Sequence, residues 1–183
     1  MEKIVQLHDK RFRIMIPAAR IDEVVGAVAE RINRDYADLH TPIFLGVLNG
    51  SFMFFSDLIK KIEFNSEISF VKLASYAGTS STGEVQSLIG LNGSIEGRHI
   101  IIVEDIVDTG GSIAHMVAEL EKYHPASVEV CTLFFKPASY SKDIPIKYAA
   151  MEIGNEFIVG YGLDYDQLGR SLKDIYVVTD DEA

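Results

Sequence analysis

Apolar positions along the chain follow the helical period in some stretches and run unbroken in others. Residues 12–16 read as a short strand that Pro17 stops. Ile21, Val24, Val25, Val28 and Ile32 then recur at the spacing of one helical face, predicting an amphipathic helix over 21–36. Residues 42–48 (PIFLGVL) are apolar throughout and of strand length, closed by Asn49-Gly50-Ser51, and an apolar helix is predicted over 52–62. Residues 67–73 alternate toward another strand, residues 75–83 (SYAGTSSTG) suit a loop, and a hairpin is expected over 84–97. Two further unbroken apolar strands are predicted, at 100–103 and 128–135. Between them a helix begins near Ser112, with Ile113, Val117 and Leu120 on one face.

Strands that are apolar on both faces belong to a sheet covered on both sides. Their alternation with helices predicts an α/β fold with a parallel sheet flanked by helices. At 183 residues, with no internal repeat, the chain is expected to form a single domain, 1–183. Residues 180–183 carry no pattern and are expected to be disordered.

Charge changes this picture in one respect. A net charge of −10 argues against a nucleic-acid footprint, which needs a basic face. Any phosphate must then be gripped locally, by backbone amides, a few cations or a metal ion. The one cysteine, Cys131, lies inside an apolar strand and reads as a small core residue, and a lone thiol fits a reducing compartment. The first residues, MEKIVQLHDKR, lack the apolar stretch of a signal peptide, and no run approaches the roughly 18 apolar residues that span a membrane. A cytoplasmic protein without a membrane partner is expected. His8, His40, His99, His115 and His124 are not spaced as zinc ligands.

The chemistry concentrates in residues 100–113, IIIVEDIVDTGGSI. Ligands of open parallel sheets sit beyond the carboxyl ends of the strands. Here four β-branched residues deliver the chain to Glu104 and Asp105; Asp108 follows, and Thr109-Gly110-Gly111-Ser112 leads into a helix. Glycines bring backbone N–H groups close to a ligand, and a helix N-terminus favours an anion. Those four residues, with two hydroxyls, predict a phosphate cradle without basic residues. Three acids beside a phosphate would repel it unless they serve something else. Paired carboxylates accept hydrogen bonds from vicinal hydroxyls and attract Mg²⁺. A ligand with a phosphate, a diol and a metal is a phosphorylated sugar.

This segment resembles the phosphoribosyl-pyrophosphate signature of type I phosphoribosyltransferases, and its Glu-Asp-Ile-Val-Asp-Thr-Gly form is similar to the hypoxanthine-guanine branch. Other segments resemble the same family in the same order, over roughly 43–178. The stretch VLNGSFMFFSDL (47–58) is similar to the family's pyrophosphate loop, whose backbone amides at Asn49 and Gly50 would face the leaving group; family members usually carry Lys or Arg where this chain has Asn49. Ser75-Tyr76 with residues 80–83 resembles the mobile lid, which keeps water from the reacting ribose.

The resemblance also implies that Lys136, ending FFKP, donates to a purine 6-oxo group. EFIVGYGLDY (156–165) is similar to the purine-binding segment. There Phe157 would stack on the base, backbone near Ile158 would meet the purine edge, and Asp164 would hold Mg²⁺. Arg170 matches the arginine that contacts pyrophosphate. Glu104 and Asp105 would fix the ribose hydroxyls and are further candidate metal ligands. Asp108 is the implied general base.

The resemblance therefore implies Mg²⁺-dependent purine salvage: transfer of the 5-phosphoribosyl group to hypoxanthine, with guanine also expected, giving the nucleotide and pyrophosphate. It further implies a hood from about 1–20 and 145–183, and a homodimer or homotetramer. Two alternatives stay open: a sister enzyme using xanthine, adenine or a pyrimidine, and a nucleotide-sensing RNA-binding regulator on the same fold.

Overall fold

The structure is a computed structural model that describes residues 4–39, 41–72 and 93–179. The expected lid at 75–83 and most of the hairpin at 84–97 lie outside the described residues, as do His40 and residues 180–183.

The three apolar runs form the centre of a five-stranded parallel sheet. Its strands are β3 (Ile43–Leu48), β4 (Glu67–Lys72), β5 (His99–Val107), β6 (Ser127–Phe135) and β7 (Tyr148–Glu152), in the spatial order β4-β3-β5-β6-β7. Helices α1 (Ala18–Tyr36) and α2 (Phe52–Ile59) pack on one face, where Ile21, Val25, Val28, Ile32 and Leu58 meet Phe44, Ile101, Val103 and Cys131. On the other face α3 (Gly111–Glu121) presents Ile113, Met116, Val117 and Leu120 to Ile43, Leu45, Ile100, Ile102 and Val130. Alternate residues of each central strand thus enter different cores, which is why these strands are apolar throughout. Cys131 is fully buried, and burial pushes its thiol well up, as a core residue requires.

A second, antiparallel sheet of β1 (Ile4–Leu7), β2 (Lys10–Ile16), β8 (Ile158–Val159) and β9 (Ile175–Thr179) has the order β1-β2-β9-β8. Leu7, Phe12, Val159 and Tyr176 form its own small core. It begins later in the chain than the expected 145. Residues of β7 belong to the main sheet, with Cys131 opposite Tyr148 and Phe134 opposite Met151, and Tyr148 is buried with its hydroxyl donating to Asp35 of α1 at 2.8 Å. Residues 18–20 are likewise the first turn of α1.

Two element ends differ from expectation for local reasons. Helix α2 stops at Ile59, short of 62, because Lys61 and Ile62 donate three residues back, to Leu58 and Ile59, and tighten the last turn. Strand β5 runs on through Val107 because β6 keeps pairing with it, Glu104 opposite Thr132 and Val107 opposite Phe135.

Candidate active site

The longer β5 changes where the first two acids sit. Glu104 and Asp105 lie within the strand rather than on a loop beyond it. The Asp105 carboxylate reaches the turn after β3 and fills the space a side chain at position 50 would need: a Cβ added to Gly50 would lie 1.6 Å from Asp105 Oδ2. Its other oxygen accepts from the Ile106 N–H at 2.9 Å. Burial pushes the Asp105 carboxyl up to about 6, against the pull of the Ile106 and Asp105 backbone N–H groups and the Arg170 guanidinium. Glu104 is held well above the usual carboxylate range, by burial first and then by Asp105, and its Oε2 is buried with no hydrogen-bond partner. Two adjacent, desolvated and partly unsatisfied carboxylates destabilise a free protein; such an arrangement marks a site built for a ligand.

Beyond β5, Asp108 and Thr109 are exposed and Gly110 precedes α3 with φ of 81°. A side chain at Gly110 would be doubly excluded, because a Cβ would also lie 2.4 Å from the Tyr140 ring. Helix α3 begins at Gly111, one residue before the expected Ser112, with no side-chain cap bond and no acid in its first turn. Its first N–H groups therefore face an anion position undisputed by a capping carboxylate. The stem of Lys142 passes this turn, its Cγ 3.0 Å from a Cβ built on Gly110. Nothing in the sequence spacing signals Lys142, which a loop after β6 brings back over the cradle.

At the end of β6, Lys136 is only 8% exposed. Its backbone N–H donates to Val107, its ammonium donates to the Glu156 carbonyl at 3.0 Å, and Asp108 Oδ2 stands 3.9 Å from Nζ. Phe157 follows directly, 44% exposed, its ring set among Phe12 and Tyr165 at centroid distances of 6.2 and 5.6 Å. Ile158 is buried at the start of β8. A buried ammonium beside an exposed aromatic face offers a donor and a stacking surface to a flat heterocycle.

Asp164 and Arg170 close the site from the hood. Arg170 Nη2 and Asp164 Oδ1 are 2.8 Å apart, Arg170 Nη1 donates to the Gly162 carbonyl at 2.9 Å, and Asp164 Oδ2 accepts from the Gln167 N–H at 2.8 Å. Gly162, at φ 104°, abuts the turn after β3: a Cβ there would be 2.0 Å from the Gly50 carbonyl oxygen. Asn49, Gly50, Glu104, Asp105, Asp108 to Ser112, Lys136, Phe157, Ile158, Asp164 and Arg170 thus share the carboxyl-end rim of the sheet and the hood above it. Ser75 and Tyr76 fall outside the described residues. Among the described residues no three of His, Cys, Asp and Glu gather as a metal cluster, and both Asp164 oxygens already have partners.

A model of the phosphoribosyl transferase domain matches residues 17–166. The chain belongs to the phosphoribosyltransferase family. A hypoxanthine-guanine phosphoribosyltransferase of Staphylococcus epidermidis is 38% identical over 167 residues, which cover 91% of this chain and 93% of that one. The hypoxanthine phosphoribosyltransferase of Salmonella typhimurium is 37% identical, covering 87% and 90% respectively. Among solved structures, a hypoxanthine phosphoribosyltransferase from Staphylococcus aureus superposes with a TM-score of 0.83 at 37% identity, over 91% of this chain and 90% of that one. The phosphoribosyltransferase thus has the parallel α/β fold expected from its strand pattern, in the type I form and the hypoxanthine-guanine branch that its motifs resemble. No helix among the described residues is long and apolar enough to cross a membrane.

Proposed function

We propose that this chain, acting as one phosphoribosyltransferase domain, transfers the 5-phosphoribosyl group of 5-phosphoribosyl-1-pyrophosphate to N9 of hypoxanthine, and also of guanine, in purine salvage. The observation that carries the choice of base is Lys136, a buried ammonium at the rim beside the exposed face of Phe157. An ammonium only donates, so it suits the O6 acceptor of a 6-oxopurine, whereas the amino group of adenine would set donor against donor.

The roles follow from position. The open N-terminus of α3, with Thr109, Gly110, Gly111 and Ser112, takes the 5-phosphate, with Lys142 nearby. Glu104 and Asp105 accept hydrogen bonds from the ribose hydroxyls, which would satisfy the buried Glu104 oxygen. Amides of Asn49 and Gly50, with Arg170, receive the pyrophosphate. Asp108, half exposed and 3.9 Å from Lys136, takes the N7 proton as N9 attacks. Phe157 stacks on the base, and backbone at Ile158 meets its edge. Ser75 and Tyr76 are assigned to the lid by resemblance.

The donor set fits Mg²⁺ entering with its substrate: a hard cation that keeps its waters needs one or two carboxylates and phosphate oxygens, not a protein cage. Glu104, Asp105 and Asp164 are the candidate ligands, Asp164 only by sharing its oxygens with Arg170 and the Gln167 N–H. The ion would neutralise charge on the departing pyrophosphate. We extend the proposal to a cytoplasmic location and to self-association as a homodimer or homotetramer, which sedimentation would test. The deciding experiment assays hypoxanthine, guanine, xanthine and adenine with phosphoribosyl pyrophosphate, with Mg²⁺ and with excess chelator. Turnover of hypoxanthine only with the metal is expected; turnover of adenine, or undiminished activity in chelator, overturns the assignment.

A further inference from the structure

Tyr161 occupies a position that glycine would take without strain. It lies between Gly160 (φ 105°) and Gly162 (φ 104°) and itself has φ of 47°. A bulky residue in the left-handed region is a costly conformation, kept only where the surroundings over-determine it. Here they do. The Tyr161 N–H donates to Leu172 at 2.7 Å, and the neighbouring Gly162 N–H donates to Arg170 at 3.0 Å. The ring is buried, and its hydroxyl donates to Asp57 Oδ2 at 2.5 Å. Burial first, and then Asp57, push the hydroxyl well up, so it stays protonated and able to donate.

Asp57 belongs to α2, the helix that rises directly from the turn at 49–51. That turn is bound to its helix, since Phe55 donates to the Ser51 carbonyl at 2.7 Å and the Ser51 hydroxyl to the Val47 carbonyl at 2.6 Å. Lys60 Nζ, 2.5 Å from Asp57 Oδ1, braces the carboxylate from the other side. One side chain therefore links the segment that carries Phe157 and Ile158 to the helix that follows the turn of Asn49 and Gly50. Where Tyr161 reaches α2, Gly162 also touches the Gly50 carbonyl.

We propose that the Tyr161–Asp57 pair is a positioning device that fixes the distance between the purine shelf and the pyrophosphate turn. This inference rests on the functional reading above. In a displacement at C1 the entering nitrogen and the leaving oxygen lie on opposite sides of one carbon, so the spacing of their two binding surfaces governs the reaction geometry. Misplacement of reacting groups by about 1 Å can cost about 10² in rate. The hydroxyl touches no substrate in this assignment and acts through the two loops.

The test is an initial-velocity matrix, with hypoxanthine and phosphoribosyl pyrophosphate both varied at fixed Mg²⁺, for wild type, Tyr161→Phe, Asp57→Ala, Asp57→Asn and the double variant Tyr161→Phe/Asp57→Ala. Folding is checked by circular dichroism and melting. Wild type should show each substrate tightening the KM of the other, within the ordinary coupling range of about 5–150-fold. Tyr161→Phe and Asp57→Ala should bring that factor close to one and lower kcat by about 10–100-fold. The double variant should be no worse than either single one, and Asp57→Asn, which still accepts from Tyr161, should recover much of the loss. Val28→Ala in the α1 core, which weakens the fold elsewhere, controls for stability and should leave the coupling factor unchanged. Coupling retained in a folded Tyr161→Phe or Asp57→Ala, additive losses, or a Val28→Ala that behaves the same way would overturn the positioning role while leaving the activity standing. A wild type without turnover would overturn the functional reading and this inference with it.

Discussion

Replacing Asp105 with asparagine is expected to stabilise the free protein while weakening its site. The Asp105 carboxyl is pushed up to about 6 from 3.8, chiefly by burial against Gly50. Ionised at neutral pH in the folded state, it costs up to about 3 kcal/mol at 1.36 kcal/mol per pH unit, and about 1–2 kcal/mol after allowing for the solvent the residue still touches. Because the folded value is raised, the stabilising protonated form is fully present below about 3.8 and is lost as pH rises through about 6. Between pH 7.5 and 5 the wild type should therefore recover up to about 1.4 kcal/mol from this group. Asp9, Asp57 and Glu119, whose carboxyls are held low by hydrogen-bonding partners, work in the opposite direction as pH falls. The raw curve mixes both signs, and the difference between wild type and variant reports Asp105 together with the repulsion it exerts on Glu104.

Asparagine keeps the acceptor for the Ile106 N–H and removes the charge, and it also relieves the repulsion on Glu104. The assay is urea unfolding in chelator, followed by far-ultraviolet circular dichroism because the chain has no tryptophan. At pH 7.5 Asp105→Asn should be the more stable by about 1–3 kcal/mol, or about 2–4 °C in Tm for each kcal/mol, and the gap should narrow by up to about 1.4 kcal/mol at pH 5. Its KM for phosphoribosyl pyrophosphate should rise. Parallel stability curves with no gap at pH 7.5 would mean that Asp105 is not held against a desolvation cost and that its burial carries no functional tension.

Asp108→Asn should retain substrate binding and lose kcat by about 10²–10⁴, the usual worth of a general base, and near-normal turnover by a folded variant would remove Asp108 from that role. Lys136→Ala should lose far more in kcat/KM for hypoxanthine than in affinity for phosphoribosyl pyrophosphate, because the sugar cradle lies on the β5–α3 connection; equal losses in steady-state kinetics would make it a structural residue. Asn49→Lys should be tolerated and should lower the KM for phosphoribosyl pyrophosphate by restoring the family's usual cation; a collapse of activity would mean the turn is built differently here.

Residues whose task is local could be read from the chain. Unbroken apolar runs and helical spacing announced β3, β5, β6, α1 and α3, because burial on two faces, or on one stripe, leaves a composition signal at every position. Gly110 could be anticipated from its place before a helix, and the structure adds the Tyr140 ring that also excludes a side chain. Gly50 was legible only in part. A turn explains a glycine there, but its backbone is not in the left-handed region; what excludes a side chain is Asp105, which reaches it from 55 residues further along the chain.

The limits of the sequence lie where two distant segments decide one position. Glu104 and Asp105 looked like loop residues because the apolar run stops before them, whereas strand pairing continues wherever a neighbour supplies partners, and β6 does so through Phe135. The hood boundary moved for the same reason: β7 is too short to announce itself, and only its register against β6 assigns it to the main sheet. Tyr161 is the extreme case. In the chain it is one aromatic between glycines; its backbone is held by the bond to Leu172, and its hydroxyl bond joins Asp57, 104 residues away. A binding loop's chemistry can be legible from its own residues while the distance to the opposing loop is not, because that distance is set by side chains that belong to neither ligand's motif. In a reaction whose two partners must meet at one carbon, that distance is as much a part of the catalyst as the groups it separates.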